Sequence, residues 1–169
     1  MKTKLLFLII CLAPFAIKAQ SSSDTCSAAD SATHITSGGT YSITSFNGTA
    51  PVAGCSSGST ADNGEWFAYT PVNDYQVVIS SDISGNNGKD TKLQVYDGSC
   101  ASLNCLANSD DDGEDVYSRL SVVQFNVEAN KTYYIAWDNR WDSSAFDFIL
   151  TETVQQPISF TEDPRNGGG

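Results

Sequence analysis

The feature that most constrains the fold is a series of short apolar segments separated by turn residues. Within these segments apolar and polar side chains alternate, as in a strand with one buried face, and none repeats with the 3.6-residue period of a helix. The predicted strands are 40–46, 65–70, 75–80, 91–96, 105–107, 120–127, 132–137 and 146–153. Parallel sheets need crossover helices, so this pattern is typical of an antiparallel β-sandwich or barrel. The sequence therefore predicts an all-β chain of about eight strands.

One strand and two turns are predicted in more detail. In 65–70, the neighbours Trp66 and Phe67 point to opposite faces although both are large and apolar. Both faces of this strand are therefore expected to be covered. The dipeptides Asn47-Gly48 and Asp97-Gly98 predict turns, because glycine adopts the positive φ that many tight turns require.

The two ends of the chain are predicted to lie outside the folded domain. Residues 1–19 have the layout of a signal peptide: a basic start, an apolar run at 5–17 that is short for a membrane span, and a cleavage site between Ala19 and Gln20. Residues 155–169 are rich in Pro and Gly and predict a linker or the start of a following segment. One domain, 20–154, remains, and we expect a secreted or cell-surface protein without membrane insertion.

The chain is strongly acidic. Its formal net charge is −11, and removal of the three signal-peptide lysines leaves six basic against twenty acidic residues, a net charge of −14. Such a surface repels phosphates, so nucleic acid is not an expected partner. It attracts cations, although acidity also serves solubility alone.

Four cysteines follow the signal peptide, and an even number in an exported chain predicts two disulfides. They are Cys26, Cys55, Cys100 and Cys105. Three pairings are possible, and the simplest joins nearest neighbours, Cys26–Cys55 and Cys100–Cys105. A zinc site is the alternative, but the last two cysteines are too widely spaced for a CxxC knuckle and His34 is the only histidine.

An acidic stretch near the middle of the chain predicts a calcium site. Oxygen-bearing side chains stand at alternate positions from Asn108 to Asp112, and Gly113 follows, as in the first half of an EF-hand loop. Arg119 stands where the bidentate glutamate should be, so the stretch is not an EF-hand. Missing ligands would come from nearby acids, Asp90, Asp97 or Asp115. The predicted ligands are Asp90, Asp110, Asp111, Asp112 and Asp115. The alternative is a solvated acidic turn.

A second unusual stretch, 137–142, predicts a ligand-binding loop. Trp141 lies beyond the end of a strand, where a large ring can stack on a sugar or on a partner's side chain. Asp138, Asn139 and Arg140 are placed to supply hydrogen bonds beside it. The alternative is that Trp141 folds back as a lid over the edge of the sandwich, with Arg140 paired to an acid.

Catalysis finds little support in the sequence. His34 is the only imidazole base, and no GxSxG, HExxH or phosphate-binding glycine loop occurs. Glu65, beside Trp66, is the one acid in a strand with the neighbours that a glycosidase site would need. The chain is therefore expected not to be an enzyme, with a hydrolase of unrecognised site as the alternative.

Four segments resemble those of a known family. They are EWFAYTP (65–71), DTKLQVYDGSC (90–100), LANSDDD (106–112) and KTYYIAWD (131–138). Together they resemble β-sandwich modules of secreted Bacteroidetes proteins, relatives of the bacterial pre-peptidase C-terminal domain. The resemblance implies a jelly-roll fold, export by the type IX system, and calcium bound through acidic loops in some members. Asp90 and 110–112 match those acidic positions.

The predicted function follows from the residues and the resemblance together. We expect a non-catalytic accessory or binding module of a larger extracellular protein, with calcium as a stabilising ion. Its expected partner is a carbohydrate, a protein surface or the attached domains of the same protein. A purely structural spacer in an adhesin is a further alternative.

Overall fold

The computed structural model describes residues 22–52, 55, 61–111 and 118–154. The predicted signal peptide and linker lie outside these residues. There are a short helix α1 (Cys26–Ser31) and a 3-10 turn (Ser84–Asn86). The strands are β1 (Thr40–Ile43), β2 (Gly48–Thr49), β3 (Asn63–Tyr69), β4 (Tyr75–Ser80), β5 (Lys92–Ser99), β6 (Ser102–Ser109), β7 (Val122–Val127), β8 (Tyr133–Asp138) and β9 (Phe146–Val154).

The strands form two antiparallel sheets. One has the order β1-β9-β4-β7 and the other β2-β3-β8-β5-β6. The pairs nest within one another: β5 with β6, β4 with β7, β3 with β8, and β1 with β9. This nesting is the double Greek-key winding of a jelly roll. The predicted antiparallel sandwich is confirmed; each of the eight predicted strands is present, and β2 is an addition.

The space between the sheets is filled by one large apolar cluster. Alternate residues of β1, β3, β4, β5, β7, β8 and β9 enter it, as Leu93 and Val95 of β5 do, both at 0% exposure. Aromatic rings occupy its centre, where Phe148 packs edge-on against Phe67 at 5.0 Å and lies 5.1 Å from Trp137. Ring pairs at these distances add to the stabilisation that apolar burial provides.

A second cluster covers the outer face of the five-stranded sheet. Its buried members are Cys26, Ala29, Cys55, Trp66, Ala68, Tyr96, Tyr134 and Ala136. The ring of Trp66 stacks on Tyr96 at 5.8 Å, and its Nε1 donates to the Thr49 carbonyl. Trp66 and Phe67 are each 2% exposed, so the prediction that both faces of their strand are covered is confirmed.

The helix α1 is not predicted by the sequence pattern, because six residues are too few to show a helical period. It begins at a capping residue, Thr25, whose Oγ1 accepts the Ala28 N–H at 3.1 Å. Ala29 then packs against the sheet at 1% exposure. The helix therefore forms because the outer face of the sheet needs a cover, a requirement that the local sequence does not reveal.

The glycines of both predicted turn dipeptides lie in strands instead, and Asn47 directly precedes β2. Gly48 belongs to β2, where a Cβ would meet the Asp24 carbonyl oxygen at 2.3 Å. Gly98 belongs to β5 with a φ of 94°, so β5 continues to Ser99 and the turn comes at residues 100–101. At both positions the absence of a Cβ allows another part of the backbone to approach closely, and Gly98 also has a positive φ. Neither glycine lies in a turn that reverses the chain.

The nearest-neighbour disulfide pairing is wrong. The bridges are Cys26–Cys100 and Cys55–Cys105, with Cα atoms 5.6 and 4.9 Å apart. The backbone ladder already holds β5 to β6, with Tyr96 opposite Cys105. Cys100 and Cys105 both belong to the β5–β6 hairpin. Cys100 is bonded to Cys26 of α1 and Cys105 to Cys55, so each bridge joins this hairpin to a segment that covers the sheet.

Candidate functional site

The two unusual stretches of the sequence meet in space. The Nε1 of Trp141 donates to the Oδ2 of Asp110 at 3.1 Å. Asp90 and Asp111 lie beside Asp110, and one cavity of about 260 Å³ is lined by all four residues together with Arg119. We call Asp90, Asp110, Asp111 and Trp141 the Asp–Trp site.

The order of strands in the sheet brings these residues together. In the ladders, Lys92 of β5 lies opposite Asp138 of β8, and Leu93 lies opposite Ser109 of β6. Neighbours in this sheet are antiparallel, so the start of β5 and the ends of β6 and β8 share one end of the sandwich. The acids just outside β5 and β6 therefore meet the loop that follows β8.

Buried hydroxyl groups hold the backbone under the site. The Ser121 Oγ donates to the Thr91 carbonyl at 2.6 Å and lies 3.2 Å from the Asp110 carbonyl. Its backbone N–H donates to Ser81 and Thr91 hydroxyls at 2.9 Å. Each of these polar groups is satisfied in a dry environment, which makes the loop backbone rigid.

The three carboxylates form a compact cluster. One oxygen from each of Asp90, Asp110 and Asp111 lies within 4.8 Å of the others. Burial raises the pKa of Asp90 above its ordinary 3.8, the nearby charge of Asp111 raises it further, and the Arg119 guanidinium opposes both. The fold therefore gathers three negative charges in one place, with Asp90 the most buried of them and Asp111 exposed.

Two cations and the indole already contact this cluster, but only on one side of each carboxylate. Arg119 lies 3.5 Å from the Oδ2 of Asp90, and Lys92 lies 3.7 Å from the Oδ2 of Asp110. The Oδ1 atoms of the same two acids are buried and have no hydrogen-bond partner within the described residues.

The donor set fits a hard cation. Calcium takes six to eight oxygen ligands, and the described residues offer carboxylate oxygens with free lone pairs at Asp90 and Asp110, with Asp111 beside them. A cation at the Oδ1 atoms would also offset the repulsion among the three acids. The predicted ligands Asp112 and Asp115 lie outside the described residues.

Asp97 does not join this cluster. It lies toward the other end of β5, where the Lys131 ammonium is 2.9 Å from its Oδ2. That contact lowers the pKa of Asp97 below its usual value. Its charge is thus compensated away from the site.

The indole of Trp141 remains accessible while it contacts the site. The residue is 53% exposed, and the Arg140 guanidinium lies over its ring at 4.5 Å from the centroid. The hydrogen bond to Asp110 and this cation–π contact both favour the observed orientation of the ring. A half-exposed ring held in this way can bind a flat apolar surface with a smaller loss of side-chain entropy.

The other residues of the 137–142 stretch support this loop. Asp138 is 4% exposed; its Oδ1 accepts the Arg140 N–H and its Oδ2 accepts the Gln94 amide. The Oδ1 of Asn139 accepts the Asn63 N–H at 2.9 Å. Asp138 and Asn139 thus hold the loop in place, and Trp141 and Arg140 form its surface.

Lys92, Gln94 and Arg119 are parts of this environment that the sequence pattern does not single out. Lys92 and Gln94 alternate with the inward residues of β5, which predicts exposure, yet they are 4% and 2% exposed. A lysine inside a strand of otherwise uncharged residues was the only local signal. No local signal in the sequence indicates the place of Arg119 at the site, because its partner Asp90 is distant in sequence.

Glu65, the strand acid considered above as part of a glycosidase site, is buried. Glu65 is 1% exposed, and its Oε1 accepts the backbone N–H groups of Asn47 and Gly48 at 3.0 and 3.1 Å. The lone imidazole, His34, contacts the Thr70 hydroxyl and the Asp30 carbonyl. Neither residue lies at the Asp–Trp site.

No protein-family model matches the chain, and no curated protein matches it in sequence. Among solved structures, the chain is similar to a region of the Podospora anserina GH26-CBM35 β-(1,4)-mannanase. The identity is 21%, the match covers 71% of this chain and 26% of that one, and the TM-score is 0.29. The chain thus spans about a quarter of that protein, and a similarity of this size assigns neither fold nor function. Among the described residues, no helix has the length and apolar character needed to cross a membrane.

Proposed function

We propose that the protein is a secreted, non-catalytic binding module that holds a carbohydrate at the Asp–Trp site with the help of calcium. Two disulfides support an oxidising, extracellular location. The family resemblance, which stays a prediction, supports attachment to a larger surface protein.

One observation carries the proposal: a half-exposed indole is hydrogen-bonded to a member of a three-carboxylate cluster. The C–H face of a sugar ring can stack on the indole, as apolar surfaces do on aromatic rings. Its hydroxyl groups can then reach the carboxylates or an ion that they hold. When bound, calcium would supply positive charge and accept sugar hydroxyls as ligands in place of water.

A role as a hydrolase has weaker support. The strand acid that the sequence singled out, Glu65, is buried and bonded to backbone N–H groups. Carboxylates that cleave a glycosidic bond must reach the substrate from a cleft. The carboxylates near Trp141 suit an ion or sugar hydroxyls better, because one oxygen of each of the three lies within 4.8 Å of the others.

The test is binding of the mature chain to a printed glycan array in millimolar calcium and in EDTA. We expect a defined set of bound glycans whose signal falls with Trp141→Ala and with EDTA. Val72→Ala is the matched control, because Val72 is 72% exposed in the turn between β3 and β4, at the opposite end of the sandwich. An array on which the wild type binds no glycan would contradict the proposal.

A further inference from the structure

The cationic side chains are unevenly distributed. The described residues contain five, Lys89, Lys92, Arg119, Lys131 and Arg140. Arg119 lines the cavity of the Asp–Trp site, and Lys92 and Arg140 lie 5.9 and 4.5 Å from the centroid of the Trp141 ring. Lys131 lies away from that site, paired with Asp97.

The four cations other than Lys131 differ in what a ligand can reach. Lys92 is 4% exposed and contacts Asp110, and Arg140 lies over the indole. Arg119 is 70% exposed, and among the described residues its guanidinium pairs with Asp90 at 3.5 Å. An ion pair this near the solvent contributes little, so the guanidinium has N–H groups to offer another anion.

A second, larger cavity adjoins the Asp–Trp site at Arg119. Its volume is about 500 Å³, and it is lined by 87–89 on one side, by 118–120 on the other and by Asp82. Arg119 lines both cavities. Lys89 lines the larger one and donates from Nζ to the Ser144 hydroxyl at 2.8 Å. We call the two cavities that share Arg119 the groove; its lining includes Trp141, the three carboxylates, Arg119 and Lys89.

We infer that this groove binds an anionic polysaccharide, with one sugar on Trp141 and a carboxylate or sulfate ester of the chain at Arg119 and Lys89. The inference rests on the proposed function and names its ligand class. Arg119 presents a planar fork of donors, which matches the oxygens of carboxylates and sulfates. Repulsion from the distant acidic surface is screened beyond about 8 Å at physiological salt. The three carboxylates inside the groove are too close for this screening, and calcium bound to them would offset their charge.

The experiment compares neutral, uronate-containing and sulfated oligosaccharides on one array, in millimolar calcium. We expect the anionic glycans to bind best. Comparison of the uronate-containing with the sulfated oligosaccharides then shows whether the groove binds a carboxylate or a sulfate ester. Replacement of the two cations that line the larger cavity, Arg119→Gln with Lys89→Gln, should weaken anionic binding by about tenfold or more. Lys131→Gln removes one charge from the other end of the sandwich and should change the binding of anionic glycans less than about twofold.

The outcomes separate this inference from the function on which it rests. Binding confined to neutral glycans would overturn the inference and leave the proposed carbohydrate module standing. Anionic binding that the double variant keeps, or that Lys131→Gln weakens equally, would also overturn it. The absence of any bound glycan would contradict the proposed function itself.

Discussion

Two aspartates at the same end of the sandwich show how residue environments differ within a few ångströms. Burial raises the pKa of both Asp90 and Asp138. At Asp138 the Gln94 amide and the Arg140 N–H oppose the shift by binding the charged form. At Asp90 the neighbouring charge of Asp111 adds to it, and only Arg119 acts against it. Asp90 therefore carries the less compensated charge.

Asp90→Asn is expected to stabilise the calcium-free protein at neutral pH. The pKa of Asp90 is higher in the folded state, so its ionisation opposes folding once the pH rises above 3.8. The gain in the free energy of unfolding from Asn should thus be full at pH 7. It should shrink as the pH falls through the raised pKa of Asp90 and vanish near the ordinary pKa of 3.8. Urea unfolding in EDTA between pH 4 and 7 measures it. A gain that does not depend on pH would contradict the electrostatic cause.

Replacement of Asp138 by Ala or Asn separates charge from hydrogen bonding. Ala leaves the Arg140 N–H and the Gln94 amide without a partner, which should lower the free energy of unfolding by about 1–3 kcal/mol. Asn still accepts the N–H, and a reversed Gln94 amide can accept from its NH₂ group, so its cost should be much smaller. Thermal and urea unfolding give both values. Equal losses would mean that the charge, not the bonding, is required.

At the scale of elements, the β5–β6 hairpin organises the outer layer. It supplies one cysteine to each disulfide, and the partners lie in α1 and at Cys55. The helix α1 has only six residues, so a covalent tie adds to the stabilisation that its own contacts provide. The hairpin thus serves both the site at one end and the cover on the outer face.

Disulfide mapping should recover peptides that join Cys26 to Cys100 and Cys55 to Cys105. The bridges span 74 and 50 residues, and on the chain-entropy treatment each stabilises by about 4 kcal/mol. Cys→Ser replacement of either pair should therefore lower the unfolding free energy by a similar amount. A mapped peptide joining Cys100 to Cys105 would contradict the assignment, and such a short loop would stabilise by only about 2 kcal/mol.

At the scale of the whole molecule, the central strands of the five-stranded sheet, β3, β8 and β5, are buried on both faces along most of their length. Their inner faces pack on the other sheet, and their outer faces lie under α1 and Cys55. The edge strand β6 is mostly exposed, and the Asp–Trp site lies on the loops beyond the strand ends. Rigid strands with a site on adjoining loops are a common arrangement for binding modules.

Calcium is expected to raise the melting temperature of protein first treated with chelator. An ion that binds only the folded state adds about 1.4 kcal/mol at ten times its Kd, which corresponds to roughly 3–6 °C. Asp110→Asn should reduce the shift, and Asp97→Asn, remote from the cluster, should not. Calorimetry in EDTA and in millimolar calcium measures this. No shift at millimolar calcium would contradict calcium binding.

The sequence by itself determined the elements and the class of fold. Period-two alternation depends on residues next to one another, so it predicted strands such as 75–80 to the residue and the antiparallel sandwich as a whole. The acidic and tryptophan stretches were also visible locally. The short helix α1 and the added strand β2 were not, because each exists only to cover or extend a sheet already formed.

The tertiary structure alone decided which distant residues meet. The disulfide partners, the contact between Asp110 and Trp141, and the pairing of Arg119 with Asp90 all depend on strand order. That order is set by the nesting of pairs distant in the chain, a property that no local window of sequence contains. Two separate candidate stretches thus became one site because β6 and β8 end beside the start of β5.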